Sequence, residues 1–129
     1  MNYEELKNIV ESHGCILDEI DTSISRQTLY IYYPEDIVFK EYSDCYSDPT
    51  VNRVFATVVI QKNSVTELYV YLDLSADENG KIFFTDRNKK LQNSNITEKQ
   101  VNRMCKIAKR KVFEKKKQFK MKMLEKDFV

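Results

Sequence analysis

Glycine and proline are scarce, with two of each in 129 residues, and tryptophan is absent. Gly14 and Gly80 stand far apart, so the chain has no glycine-rich loop whose backbone N–H groups could cradle phosphates. Nucleotide-fold enzymes are thereby disfavoured. His13 is the lone histidine, and the three cysteines, Cys15, Cys45 and Cys105, are odd in number and lack a CxxC spacing. Neither a tetrahedral zinc site nor a disulfide framework is expected from that set, and a reducing compartment is. No apolar run approaches the roughly 18 residues of a membrane span. The opening MNYEELKNIVESHG carries acids where a targeting segment would have a basic start and an apolar stretch. Together these absences predict a cytoplasmic location and no cofactor or metal.

What the chain does have is the composition of a folded domain, 42% hydrophobic and 12% aromatic. At 129 residues a single domain is expected over 1–129, burying roughly two thirds of the surface its unfolded form exposes. Tyr3, Leu6, Ile9 and Val10 recur at helical spacing and predict a first helix over NYEELKNIVESHG, ended by Gly14 in a left-handed cap. A short strand is expected over Cys15–Asp21. TLYIYY alternates as a strand does, up to Pro34, and PEDIVFKEYSDCYSDPTVN reads as a strand or turn followed by a surface loop. RVFATVVIQ, VTELYVYLDL and KIFFTD, separated by a KNS turn and an Asn79-Gly80 pair, predict a three-stranded meander.

Thr97 followed by Gln100 has the spacing of a capping box, and Val101, Met104, Cys105, Ala108 and Val112 make one apolar stripe of a long final helix. The expected fold class is α+β: a mainly antiparallel sheet of four or five strands, with an N-terminal helix and a long basic C-terminal helix. Core candidates are Leu6, Ile9, Val10, Val58, Ile60, Leu68, Val70, Leu72, Val101, Met104 and Ala108.

Charge is divided sharply along the chain. Over 1–98, nine Lys/Arg against seventeen Asp/Glu give −8, whereas over 99–129 twelve against three give +9. The stretch KIAKRKVFEKKKQFKMK, Lys106 to Lys122, holds nine bases in seventeen residues. Lys115 and Lys116 interrupt the apolar stripe before Phe119 and Met123 resume it, so the distal half of the helix is expected to project. Clustered lysines bind polyanions by releasing condensed counterions, and the candidate nucleic-acid residues are Lys109, Arg110, Lys111, Lys115, Lys116, Lys117, Lys120 and Lys122. A solvated face, or one lying against the acidic body, is the plainer reading of the same run. An anionic membrane is a further candidate surface, since Phe113, Phe119, Met121, Met123 and Leu124 supply an apolar side. No helix-turn-helix or zinc-finger spacing is present, so nucleic-acid contact is expected to be with the backbone.

Two further constellations bear on function. Tyr30 with Tyr32 and Tyr69 with Tyr71 each share one face of a strand; on a common open face they would stack unpaired bases, and otherwise they wall a second packing layer. His13 and Cys15 lie near a helix end, where neighbours at this spacing face apart, and no catalytic group is assigned. A Lys- and Asn-rich, glycine-poor chain without catalytic groups has the look of bacterial or phage accessory proteins. The sequence therefore predicts a non-enzymatic binding protein that engages nucleic acid or a ribonucleoprotein through its basic helix. The alternative is a small phage or mobile-element inhibitor of the anti-defence kind. Its acidic body, with Asp36, Glu41, Asp44 and Asp48, would imitate phosphates toward a protein partner with a basic groove.

Overall fold

The first helix is capped at both ends by its own sequence. In the computed structural model, which describes residues 1–35, 53–76, 82–92 and 96–127, α1 spans Tyr3–Ser12. Asn2 is its N-cap rather than its first turn: the Asn2 side chain accepts from Glu5 N at 2.9 Å, and the Glu5 carboxylate accepts from Asn2 N at 3.4 Å. At the other end Gly14, at φ 74°, sits just past the His13 cap as expected. Gly14 N donates to Glu11 O and Cys15 N to Val10 O, the paired bonds of a Schellman turn.

Five strands follow: β1 (Ile16–Leu17), β2 (Arg26–Tyr32), β3 (Val54–Gln61), β4 (Ser64–Ala76) and β5 (Ile82–Gln92). Each pairs antiparallel with the next, in the order β1-β2-β3-β4-β5. The expected strand over Cys15–Asp21 is only two residues long, because Asp21 turns the chain. Its Oδ1 accepts from both Ser23 N and Ser23 Oγ, while Gln27 Oε1 takes Asp21 N. Lys62 and Asn63, at φ 47° and 66°, form the tight two-residue turn between β3 and β4. α1 is sewn onto that hairpin, with Tyr3 N donating to Asn63 O and Val65 N to Met1 O. The strand expected at KIFFTD continues through Gln92, paired along β4.

The last helix, α2, spans Glu98–Asp127. α1 and α2 pack on each other and on β4, and so cover one face of the sheet. Leu29, Val58 and Leu68 stand in register on that face, as do Ile31, Ala56 and Val70, all buried. They meet Leu6, Ile9 and Val10 of α1 and Val101, Met104, Cys105, Ala108 and Val112 of α2 in one core. Ten of the eleven expected core residues are buried. Leu72 is the exception, only half-buried, because the register slips between Tyr71 and Asp73 and disturbs the alternation there. Among the described residues, no helix is long and apolar enough to cross a membrane.

Candidate nucleic-acid interface

α2 begins where its sequence can close a cap. Gln100 N donates to Thr97 Oγ1 at 3.3 Å and Val101 N to Thr97 O at 3.0 Å. From Glu98 to Asp127 there is neither glycine nor proline, and Lys, Arg, Gln, Glu, Met and Leu dominate, so nothing in the chain breaks the helix.

At about 100° per residue, the buried stripe of Val101, Met104, Cys105, Ala108 and Val112 fixes which way every other side chain of α2 leans. On the side diametrically away from the sheet stand Lys99, Arg103, Lys106, Arg110, Phe113, Lys117, Lys120 and Leu124, alternately four and three residues apart. All eight are exposed. From Lys99 to Lys120 this ridge runs about 32 Å at the rise of an α-helix. Among the described residues no ion pair involves any of its six cations. Phe113 is 69% exposed, and Met121 and Leu124 are exposed toward the distal end. Phe113, Lys116, Lys117 and Lys120 line a hollow in this part of the surface.

The flanks of the helix behave differently. Lys111 Nζ lies 3.6 Å from Asp73 Oδ1, and Lys116 Nζ lies 3.4 Å from Glu35 Oε1; both lysines are only half-exposed. Lys109 Nζ reaches back to the end of α1, 3.9 Å from where a Cβ would stand on Gly14, so its charge faces the carboxyl terminus of that helix. Lys115 is half-buried. Of the eight residues singled out by sequence, then, Arg110, Lys117 and Lys120 lie on the open ridge, Lys109, Lys111, Lys115 and Lys116 lie toward the body, and the Lys122 side chain is outside the described ones. Sequence reading missed Lys99, Arg103 and Lys106. The signal that finds them is the complement of the apolar stripe, not the local density of lysine. Asp36, Glu41, Asp44 and Asp48 lie outside the described residues.

The sheet's second face carries the tyrosines. Tyr30, Thr57 and Tyr69 stand in one cross-strand row, with Thr28, Val59 and Glu67 in the next. Tyr30 is 44% exposed, but Tyr32 is 9% exposed, its ring edge-on to Tyr30 at 6.4 Å and covered by the Arg53 guanidinium at 5.8 Å. Burial, with an Asp18 carboxylate accepting its hydroxyl proton and repelling the phenolate, pushes Tyr32 up to about 12. Tyr69 donates to Glu67, which also pairs with Arg26 at 3.8 Å. Tyr71 packs against the core. Four free rings on one open face are therefore not what the strands present: Tyr30 is the one that stands well out, and it points away from α2.

His13 Nε2 donates to Asn102 Oδ1 at 2.7 Å, an orientation fixed because the Asn102 amide nitrogen donates to Glu98 O. The imidazole thus engages α2 rather than Cys15. Among the described residues no three of His, Cys, Asp and Glu converge in a manner suited to a metal ion. Comparison with known protein families, with curated proteins and with solved structures finds no match to this chain.

Proposed function

We propose that this protein binds the phosphate backbone of nucleic acid along the outward ridge of α2, with Lys99, Arg103, Lys106, Arg110, Lys117 and Lys120 as the contacting cations. The observation that carries the reading is the separation of the helix into two cationic populations. Lys111 and Lys116 are drawn onto the acidic body, whereas the ridge cations stand exposed, in line and without an ion pair among the described residues. A row of such charges gains affinity when phosphates displace their counterions onto it, and it reads no sequence. Duplex is favoured over single strands, because the exposed ring of Tyr30 lies on the opposite side of the sheet and cannot stack bases of a strand held on the ridge. The protein on this reading binds and does not catalyse.

Phe113, Met121 and Leu124 favour a second reading in which the distal ridge lies on an anionic membrane, the apolar side chains entering it. One experiment weighs both: fluorescence anisotropy with labelled duplex DNA, duplex RNA and a single strand over a salt series, beside flotation with anionic vesicles. With five or six phosphates engaged, the logarithm of the duplex binding constant falls against the logarithm of salt with a slope of about −5. Vesicle binding that is lost on Phe113→Ser, without duplex binding, selects the membrane. Binding to neither at low salt overturns the proposal.

A further inference from the structure

The exit of α1 and one stripe of α2 meet residue against residue. His13 bonds Asn102, Gly14 lies under Lys109, and between these two contacts stand Cys15 and Cys105, both buried in the core and both free thiols. Asn102, Cys105 and Lys109 are three and four residues apart, one face of the helix. The Schellman turn holds His13, Gly14 and Cys15 in place opposite them. Hydrogen bonding toward Cys105 acts first in lowering Cys15 below the usual thiol range, helped by the Lys109 ammonium against the opposing effect of burial. The same interaction, then burial, raises Cys105, which keeps its proton.

We propose that Cys15 and Cys105 are a dithiol that hydroperoxides convert reversibly to a disulfide, cross-linking the α1–β1 junction to α2. The Cys15 thiolate attacks one oxygen of hydrogen peroxide, the O–O bond breaks, and hydroxide leaves, giving a Cys15 sulfenic acid. Cys105 then gives up its proton and attacks that sulfur, the S–O bond breaks, and water leaves. Overall two thiols and one peroxide become one disulfide and two waters, with the sulfurs oxidised by two electrons and the peroxide reduced by two. Lys109 promotes the first step by favouring the thiolate. Reduction by a small dithiol restores the pair. The new bond closes a loop of about 90 residues, so the oxidised protein melts higher by on the order of 10 °C.

The test treats the full chain with hydrogen peroxide, alkylates the remaining thiols and maps the peptides by mass. The expected result is a peptide pair joined through Cys15 and Cys105, two hydrogens lighter than the free thiols, still formed in Cys45→Ser and removed by dithiothreitol, with the rise in melting temperature. Lys109→Gln slows its formation several-fold. A link through Cys45, a Cys15 that oxidises without joining Cys105, or thiols left intact while exposed methionines oxidise, overturns the proposal; an unchanged rate in Lys109→Gln overturns the assignment of Cys15 as the activated thiol.

Discussion

Lys116 Nζ lies 3.4 Å from Glu35 Oε1, joining the middle of α2 to the chain just past β2 across eighty-one residues of sequence. Glu35 stands mostly in water and Lys116 is half-exposed, so the pair holds position more than it holds the fold together. A double-mutant cycle of Lys116→Gln and Glu35→Gln is expected to give a coupling energy below about 1 kcal/mol by denaturant melts, falling further as salt is added. A coupling of several kcal/mol would mean that the contact is shielded from solvent.

The two cationic populations of α2 separate in binding. Arg110→Gln, Lys117→Gln and Lys120→Gln together make the salt slope on duplex shallower by about three and weaken all duplex sequences alike. Lys111→Gln with Lys116→Gln changes that slope by less than about one, because those ammonium groups already face Asp73 and Glu35. Equal effects of the two sets, measured by anisotropy, would erase the distinction between ridge and flank.

Gly14 carries a positive φ of 74°, and a Cβ there would meet Lys109 Nζ at an ordinary contact distance of 3.9 Å. Gly14→Ala is expected to cost about 1 kcal/mol in thermal or urea unfolding, from backbone strain alone, and Gly14→Asn less.

Tyr32 titrates above an ordinary tyrosine, at about 12 against 10 in an unfolded chain. Between those values the folded form holds a proton that the unfolded form has lost. The stabilisation is therefore complete below pH 10 and disappears as pH rises toward 12. Ultraviolet difference absorbance should show a late-ionising phenol that is absent in Tyr32→Phe, and urea midpoints of the wild type should fall over that window more steeply than those of the variant.

Met104 is buried between α2 and the sheet, 3% exposed. Met104→Asp places an unpaired carboxylate there and is expected to abolish cooperative unfolding by circular dichroism, whereas truncation after Glu114, past Val112, the last buried residue of the stripe among the described ones, leaves the melting temperature nearly unchanged.

The parts of this fold that were legible in sequence are those where one physical signal acts locally. Helical spacing found the buried face of α1, a positive-φ glycine marked its end, and the apolar stripe of α2 was read residue for residue down to Val112. What escaped depends on partners distant in the chain. The His13–Asn102 bond spans eighty-nine residues, and the facing of Cys15 and Cys105 follows from the same packing. Leu72 packs on the core only half-buried, beside a register slip that alternation cannot announce. In the basic helix, density of lysine drew attention to residues 109–122, yet a helix sorts its side chains by angle: Lys111 and Lys116 turned toward the body's acids, and Lys99, Arg103 and Lys106 joined the open side unnoticed.

The sheet connects every strand to its chain neighbour, but the two helices that cover it stand before and after it in the sequence. During synthesis the meander can pair as it leaves the ribosome, each hairpin closing on residues already made. The apolar side of α1 enjoys no such timing. Leu6 and Val10 are translated some ninety residues before Val101 to Val112, which cover them, a gap of about five to twenty seconds at ordinary elongation rates. Through that interval the growing sheet has its apolar face uncovered, the state on which a ribosome-associated chaperone would act.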